Sequence, residues 1–531
     1  MTPDDLGDPP NPRAARTPHG PAAAPSDTRT PAEPGPARPA ATVPATPAPE
    51  PPDTTLDPSD WDAYRADLHA LVDAAVDQLE GIRDRPWRPF PDDDADAVAL
   101  GNAERGRGLA ATMTALRERI LRHHGGNVHP RFYGWVQGTG NAAALAADVV
   151  ASTMNANVGG RDHAAVHVER DVLAWTKATF GFPADASGVL VTGTSQATVV
   201  ALAVARDRAL ARHGEAARGR LRLYAADAAH VAVAKAGRLV GLADEQIVRI
   251  PADDAGRLDP TALAAALRDG RAAGAVPMAV VASAGSVDVG AVDDLHAIAD
   301  VAAREDAWLH VDGAFGAWLA LAGPPYDALV RGIERADSLA TDFHKWMSVQ
   351  YDVAVALVRD GDAHRTTFAA NAAYLRPQGR GIAGGQPWFA DYGTDLSRGF
   401  RALKVWATLY AYGRDALGAT IRANCDLARR MEARVAATPG LAVARPVASN
   451  VCTFRPDPAA FGAPPLDADD EDRLVTRVAH EAQRSDDAIV STTRVDGRRA
   501  FRAAIVNHRA AEADVDATVD AIAAHVARAF A

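Results

Sequence analysis

A short apolar run leads into a charged loop at Ser338-Leu339-Ala340-Thr341-Asp342-Phe343-His344-Lys345-Trp346. The residues 338–341 are typical of a short buried strand, which carries the Lys345 amine into a loop beside a carboxylate and an imidazole. That arrangement favours a lysine that forms a Schiff base with an aldehyde. A solvated loop lysine is the alternative, because a His-Lys-Trp triplet alone is weak evidence.

A second strand, upstream of this loop, ends in small and hydroxylated residues. The sequence is apolar over 188–191, breaks at Gly193, and continues as an amphipathic helix from Thr194 and Ser195 to about Arg212. The free N–H groups and positive dipole of a helix start favour a phosphate dianion, and the two hydroxyl groups add donors. The alternative is an ordinary helix cap, because Ser and Thr are favoured there without any ligand.

An aspartate closes a third apolar strand, at 308–311. Asp312 is followed by two small residues, Gly313 and Ala314, which leave room for a flat ring against the backbone. An aspartate at such a place can pair with a protonated pyridine nitrogen and keep the ring cationic. The alternative is an acid that caps the next helix.

A single histidine, His230, lies in the sequence between the helix start at Thr194 and the strand that ends at Asp312. His230 follows the apolar run 223–226 and opens a helical stretch. An imidazole in that place can lie flat over an aromatic ring, although a lone histidine is more often a structural residue.

Taken together, these motifs resemble those of the pyridoxal-phosphate dependent group II amino-acid decarboxylases, which include aromatic-L-amino-acid, histidine and glutamate decarboxylases. The resemblance runs from about Leu56 to the C-terminus. Its elements, in order, are His129-Pro130-Arg131-Phe132-Tyr133-Gly134, Thr194-Ser195, His230, Asp312 with Ala314, and His344-Lys345.

The resemblance implies pyridoxal 5'-phosphate (PLP) as the cofactor, held as an internal aldimine by Lys345. It places Asp312 on the pyridine nitrogen, and it implies no metal. The implied catalytic residues are Lys345, His230, Tyr374 and Asp312. The implied cofactor-binding residues are Thr194, Ser195, His230, Asp312, Ala314, Asp342, His344 and Lys345, and the implied substrate-binding residues are His129, Phe132 and Trp135.

Tyr374 lies 374 − 345 = 29 residues beyond the lysine, just before a Gly-rich stretch at 379–385. In the aromatic decarboxylases a tyrosine on a mobile loop reaches the partner subunit's active site and protonates the reacting carbon. The resemblance therefore makes Tyr374 the candidate proton donor and favours simple decarboxylation, because aldehyde-forming relatives commonly replace this tyrosine or the stacking histidine. A tyrosine packed at a subunit interface is the alternative.

The pattern of short strands and helices predicts an α/β fold. Strands at 188–191, 222–225, 279–283, 308–311, 338–341 and 353–358 alternate with helical stretches, which predicts a mostly parallel sheet covered on both faces. The resemblance implies the PLP-dependent transferase fold, fold type I and aspartate aminotransferase-like, with a seven-stranded sheet in the large domain. Strands at 450–454, 488–492 and 500–506, with helices at 469–483 and 511–530, predict a smaller α+β domain.

Four segments follow from these patterns. Residues 1–55 are a Pro/Ala-rich tail that cannot bury enough apolar surface to fold, so we expect disorder. Residues 56–125 form an N-terminal helical segment that, by resemblance, packs across a homodimer whose active site lies at the subunit interface. Residues 126–419 form the large PLP-binding domain, and residues 420–531 form the small C-terminal α+β domain.

The expected reaction is decarboxylation of an L-amino acid. An aromatic substrate is slightly preferred, because Phe132, Tyr133 and Trp135 could wall the side-chain pocket. An acidic or polar substrate is the alternative, because Arg161 and His163 could bind it. The chain also departs from the usual Gly-Thr-Thr pattern, with Gly285-Ser286-Val287-Asp288-Val289-Gly290 in its place, as in a bacterial subgroup of the family.

Two other functions stay open. An aminotransferase would clamp the substrate carboxylate with an arginine of the small domain, where Arg498, Arg499 and Arg502 stand, and an oxidative relative would form an aldehyde. A catalytically inactive dimeric scaffold is the third possibility, against which the retained Lys345 and Asp312 speak.

Composition narrows the partners. The chain has 531 residues and a net charge of −12 without a basic stripe, which argues against nucleic acid and membrane surfaces as partners. No stretch reaches the ~20 apolar residues that span a bilayer, and the N-terminus lacks the pattern of a signal peptide. The two cysteines, Cys425 and Cys452, indicate reduced packing residues and a cytoplasmic location.

Overall fold

The computed structural model describes residues 55–87, 98–101, 104–369 and 381–531. In these residues the strands are β1 (Phe132–Tyr133), β2 (Ser187–Val191), β3 (Leu221–Ala226), β4 (Ile247–Ile250), β5 (Val276–Ser283), β6 (Trp308–Asp312), β7 (Ser338–Asp342), β8 (Ala354–Val358), β9 (Leu441–Arg445), β10 (Val451–Pro456), β11 (Ile489–Val495) and β12 (Arg498–Ala504).

The α-helices of the same residues lie between and around these strands. They are α1 (Trp61–Glu80), α2 (Leu109–Ala115), α3 (Ala142–Met154), α4 (Ala164–Thr179), α5 (Thr194–His213), α6 (Val231–Leu239), α7 (Pro260–Ala272), α8 (Leu295–Arg304), α9 (Gly361–Phe368), α10 (Ala402–Ala437), α11 (Ala468–Arg484) and α12 (Glu512–Phe530).

Seven strands form the large sheet, in the order β2-β8-β7-β6-β5-β3-β4. Strands β3 to β7 pair in parallel, and only β8 runs antiparallel to its neighbours β7 and β2. Every residue of β5, β6, β7 and β8 is buried, as expected for a sheet covered on both faces. The predicted α/β fold with a mostly parallel seven-stranded sheet is confirmed.

Proline is rare inside a central strand because it cannot donate to the ladder. Pro277 of β5 nevertheless pairs with Arg222 of β3, and the register between the two strands shifts immediately afterwards, between Arg222 and Leu223. The irregular pairing accommodates the proline near the start of β5.

A second sheet of five strands has the order β1-β11-β12-β10-β9. The hairpin β11–β12 and the pairs of β10 are antiparallel, whereas the short strand β1 joins the edge in parallel with β11, through Phe132 opposite Ile489. Helices α11 and α12 and the second half of α10 cover this sheet with a core of its own. Strands β1 and β9 were not predicted from the sequence.

Helix α10 is long and runs from Ala402 to Ala437. Gly413 interrupts it with φ 66°, a left-handed value that glycine adopts at little cost. The residues beyond Gly413 continue α10 to Ala437. Apolar side chains of α10 pack in the cores of both sheets.

The chain divides into a unit that ends at Asp60 and a unit from Trp61 to Ala531. The described residues of the first unit are 55–60, which contain no helix or strand, and the Asp57 N–H donates to Thr55 Oγ1 at 3.2 Å. The predicted tail at 1–55 lies almost entirely outside the described residues. The helix expected near Leu56 begins at Trp61.

An ion pair is buried in the second unit. Arg398 Nη2 lies 2.6 Å from Glu169 Oε1, and the two side chains are 3% and 0% exposed. Arg398 also donates to the carbonyls of Val158 and Leu190, and Glu169 accepts the Leu190 N–H. The pair ties α4 and β2 to the segment that leads into α10.

None of the helices in the described residues combines the length and apolar character that a bilayer crossing requires.

Candidate active site

The predicted site residues meet at one edge of the large sheet. A cavity of about 510 Å³ lies where β2, β3, β5, β6 and β7 end. Because open α/β sheets place ligands beyond the carboxyl ends of their strands, this is the expected position of a site. Of the predicted residues, those that line the cavity are Trp135, Thr194, Ser195, His230, Asp312, Ala314, Asp342, His344 and Lys345.

Lys345 is paired with a buried carboxylate. Its Nζ lies 2.8 Å from Asp342 Oδ2, and the Lys345 side chain is 24% exposed whereas that of Asp342 is 2% exposed. Burial alone would lower the pKa of Lys345, but the charge and hydrogen bond of Asp342 outweigh it, so the pKa is raised. Asp342 therefore fixes the position of the amine and is a nearby acceptor for its proton.

The chain contains only four lysines, and the other three are placed elsewhere. Lys177 donates to the carbonyls of Ala184 and Ala186, and Lys404 donates to the carbonyl of Tyr351. Lys235 is exposed on α6. Among the described lining of the cavity, Lys345 is the amine that can react.

Asp312 ends β6 and is 7% exposed. Burial raises the pKa of this carboxyl, and the positive charges of Lys345 and His230 act in the opposite direction. It accepts the Ala314 N–H at 3.2 Å, and no cation of the described residues lies within ion-pair distance of it. A buried carboxylate of this kind is stabilised by a cationic group that enters the cavity.

Thr194 and Ser195 begin α5 at the cavity wall. The Thr194 N–H donates to Asp342 Oδ1 at 2.7 Å, so the lysine loop and the helix start share one carboxylate. The Thr194 Oγ1 atom is buried and has no hydrogen-bond partner in the described residues. An unsatisfied hydroxyl at a helix N-terminus fits an anionic group such as phosphate.

Two histidines face the cavity. His230 caps α6, where its Nδ1 accepts the Ala232 N–H at 3.2 Å, and its side chain is exposed. His344 is buried, and burial lowers its pKa although Asp342, with Oδ1 3.7 Å from Nε2, acts against this. A Cβ at Gly138 would overlap the His344 carbonyl oxygen, so only glycine allows the segment after β1 to pack on the lysine loop.

The three residues predicted to bind the substrate do not lie together. Trp135 lines the cavity and is 55% exposed. His129 and Phe132 do not line it. His129 is 1% exposed, accepts the Arg131 N–H at Nδ1 and packs edge-on against Trp87, while Phe132 packs in the same small core.

Arg161 and His163 also lie apart from the cavity. Arg161 stacks over the Trp388 ring at 4.9 Å, and His163 is hydrogen-bonded to the carbonyl of Asn157. Neither residue lines the described cavity walls, so this placement removes the reason to expect an acidic or polar substrate from these two residues.

The three arginines of the C-terminal region that could bind a substrate carboxylate also lie in different places. Arg498 pairs with Glu471 at 2.8 Å and Arg499 with Asp472 at 2.6 Å, both away from the cavity. Arg502 alone reaches the cavity wall. Its neighbours there are Asp288, Ser491 and Thr493, which sequence reasoning did not assign, although Asp288 stands in the departure from the Gly-Thr-Thr pattern.

Tyr374 lies outside the described residues, as do Gly379 and Arg380 of the Gly-rich stretch. Its assignment stays a prediction. No group of three or more metal-ligating side chains occurs in the ranges that the structure describes.

The residues present fit PLP: an amine for its aldehyde, a buried carboxylate without an ion-pair partner in the described residues for its ring nitrogen, and an unsatisfied hydroxyl at a helix start for its phosphate. This fold and cavity define a PLP-dependent enzyme.

Comparison with known proteins narrows that class. The family model described as "Pyridoxal-dependent decarboxylase conserved domain" matches residues 112–455, about two thirds of the chain. The chain belongs to this family of PLP-dependent carboxy-lyases.

Proteins similar to the chain include two that are named as decarboxylases. It is 31% identical over 447 residues to an aromatic-L-amino-acid decarboxylase of Bacillus atrophaeus, covering 83% of this chain and 91% of the relative. It is 32% identical over 421 residues to an L-2,4-diaminobutyrate decarboxylase of Rhizobium meliloti, covering 79% and 82%. A crystal structure of Oryza sativa TDC with PLP and tryptamine matches with TM-score 0.83 and 30% identity, covering 90% of this chain and all of the other. The two relatives are both named as amino-acid decarboxylases, and their names give different amino acids.

Proposed function

We propose that the chain decarboxylates an L-amino acid, with an aromatic side chain slightly preferred, through covalent attachment of PLP to Lys345. The observation that carries the proposal is the convergence of Lys345, Asp342, Asp312 and Thr194 on one cavity. When bound, PLP supplies an electron sink for the bond that breaks at the substrate α-carbon.

Each side chain would hold one part of the cofactor. Lys345 would bind the aldehyde carbon, Asp312 the ring nitrogen, and Thr194 with Ser195 the phosphate. His230 would contact the ring face, and Ala314 would leave room beside it. Asp342 and His344 would orient the lysine, because Asp342 touches both the Lys345 amine and the Thr194 N–H.

Proton positions follow from the same contacts. Lys345 must lose a proton to attack an aldehyde, and Asp342 Oδ2 at 2.8 Å is placed to accept it. Asp312, buried in the cavity, would keep the proton on the ring nitrogen through its negative charge. A substrate carboxylate held where few donors solvate it would lose carbon dioxide more readily.

The aromatic preference rests on Trp135, whose ring is half exposed at the cavity wall, and on the aromatic relatives named above. The diaminobutyrate relative is equally similar, so similarity alone does not choose the substrate. An assay of all twenty L-amino acids for carbon dioxide and amine tests the proposal. Keto acid as the product, or aldehyde with ammonia, would contradict it.

A second candidate is an aminotransferase, favoured by one observation. Arg502 is buried at the cavity wall, and its Nη2 has no hydrogen-bond partner in the described residues. An aminotransferase would use such an arginine to clamp the substrate α-carboxylate. Formation of a keto acid that depends on a second keto acid would identify this reaction.

Replacing Tyr374 by phenylalanine should slow amine formation or divert the product to aldehyde, because the phenol is the proposed donor of the proton to the α-carbon. We expect a loss of about 10²-fold in amine formation, the range of a general acid. Binding of PLP, followed by its visible absorbance, should not change. Tyr224→Phe is the matched control, because Tyr224 does not line the cavity and its buried hydroxyl has no hydrogen-bond partner in the described residues. Equal turnover and product ratio in both variants would remove Tyr374 from the mechanism.

We propose a homodimer with the active site at the subunit interface. Apolar side chains are exposed on three helices, with Trp61 and Val76 on α1, Val150 on α3, and Tyr410 on α10. Apolar groups in such number mark a surface that another protein covers. Sedimentation should give twice the chain mass of 55.6 kDa, and an active species of one chain mass would contradict the proposal.

We also propose a cytoplasmic location. Cys425 and Cys452 are buried and unpaired, and burial raises the pKa of Cys425 to about 12, so neither thiol is suited to exchange. Recovery of the protein from a membrane or exported fraction would contradict this.

A further inference from the structure

One wall of the cavity carries two opposite charges that do not pair with each other. Arg502, on β12, is 4% exposed. Its Nε donates to the Val287 carbonyl at 2.8 Å and its Nη1 to Ser491 Oγ at 3.3 Å, which leaves the buried Nη2 without a partner in the described residues. A buried guanidinium nitrogen with free N–H groups needs an acceptor from the cavity.

Asp288 supplies the negative charge of this wall. It lies in the loop after β5, lines the same cavity and accepts a hydrogen bond from Thr493 Oγ1. Its charge acts on Arg502, yet the described residues contain no cation within ion-pair distance of it. The carboxylate therefore keeps acceptor capacity that faces the cavity, because a carboxylate can accept several hydrogen bonds.

The opposite charges of Arg502 and Asp288 determine which chemical group of a ligand can bind at this wall of the cavity. A carboxylate would satisfy Arg502 but would meet the negative charge of Asp288, and an ammonium would satisfy Asp288 but would meet Arg502. A neutral group with one acceptor and one donor, such as an amide or a phenol, would satisfy both. Unpaired buried polar groups discriminate strongly against ligands that leave them unpaired.

We propose that Asp288 is a specificity-determining residue which, together with Arg502, selects amino acids whose side chain ends in an uncharged group that both donates and accepts hydrogen bonds. This inference rests on the proposed decarboxylation and deepens it. It places the end of the substrate side chain between β12 and the loop after β5, on the wall that also presents Trp135.

Three pairs of amino acids of nearly equal size provide the test: L-glutamine and L-glutamate, L-asparagine and L-aspartate, and L-tyrosine and L-phenylalanine. The wild-type holoenzyme should have the higher kcat/KM for the first member of at least one pair. Asp288→Asn should reduce that preference by about tenfold to a hundredfold, the value of a hydrogen bond to a charged group. Thr493→Val should reduce it less and in the same direction, because the Asp288 carboxylate loses the hydroxyl group that holds it in place.

The control variant is Asp472→Asn. Asp472 pairs with Arg494 and Arg499 on the far side of the β11–β12 hairpin and does not line the cavity, so the preference should not change. Visible absorbance of bound PLP shows that each variant is folded and loaded. A preference that is the same in the wild type and in both cavity variants would overturn the inference, as would a wild type that uses none of the six amino acids.

The outcomes keep the two proposals apart. Carbon dioxide release with an unaltered preference removes the role of Asp288 and leaves the decarboxylase. No carbon dioxide from any of the twenty L-amino acids, with PLP bound, removes the decarboxylase and this inference together.

Discussion

Replacing Lys345 by alanine should abolish carbon dioxide release from every amino acid that the wild type uses. The amine is the group placed to hold PLP covalently, and the three other lysines lie away from the cavity. Removing a nucleophile that acts within a set of coupled groups lowers kcat by roughly 10³-fold or more. The assay is carbon dioxide release with saturating PLP.

Lys235→Ala is the matched control, because Lys235 is exposed on α6 and outside the cavity lining. Borohydride reduction followed by peptide mapping gives a second readout that does not depend on activity. In the wild type the pyridoxyl group should appear on Lys345, with four possible lysines to distinguish. A modified peptide at Lys177, Lys235 or Lys404, or wild-type turnover by the alanine variant, would refute the assignment.

Replacing Arg398 by methionine should lower the stability of the fold by about 3–5 kcal/mol, the cost of leaving one member of a buried ion pair without its partner. Glu169 is 0% exposed and would keep an uncompensated charge beside β2. The carbonyls of Val158 and Leu190 would also lose their donor. The midpoint of urea unfolding, measured on the holoenzyme, reports the change.

Two further variants distinguish the loss of the Glu169–Arg398 ion pair from a general effect of replacing an arginine. Replacing both partners, with Glu169→Leu and Arg398→Met, should recover much of the loss, because apolar groups of similar size can replace a buried pair. Arg218→Met, which breaks a pair with Glu215 whose side chain is 75% exposed, should barely move the midpoint. Equal midpoints for Arg398→Met and Arg218→Met would contradict the expectation.

The sequence predicts the large sheet well where strands are apolar on both faces. The predicted strand at 308–311 is Trp308–Asp312 in the structure, and the one at 338–341 is Ser338–Asp342. Such runs have no helical periodicity and end in polar residues, so both their type and their limits are readable. The edge strand Ile247–Ile250 was missed, because it is short and contains the exposed Arg249.

The meeting of Thr194, His230, Asp312 and Lys345 at one cavity was also predictable, since each lies at the end of a strand or just beyond it at the same edge of the sheet. His129 and Phe132 were expected at the cavity as well, but they pack with Trp87 instead.

Distance along the chain explains which contacts the sequence patterns did not indicate. Asp288 and Thr493 meet across 205 residues, and Glu169 and Arg398 across 229. No local pattern in a single sequence reports a pairing of that length. The pairing of Phe132 with Ile489, which draws Trp135 towards Ser491, is of the same kind.

The short parallel strand Phe132–Tyr133 has a consequence for how new specificities arise. It attaches Trp135 to the five-stranded sheet, which also carries Ser491, Thr493 and Arg502, whereas Asp312 ends a strand of the seven-stranded sheet and Lys345 lies in the loop after another. On the proposed assignment of the site, mutations in the five-stranded sheet would change which substrate binds and would leave Lys345 and Asp312 in place. Laboratory evolution of this enzyme could be confined to a handful of codons around one hairpin and one short edge segment.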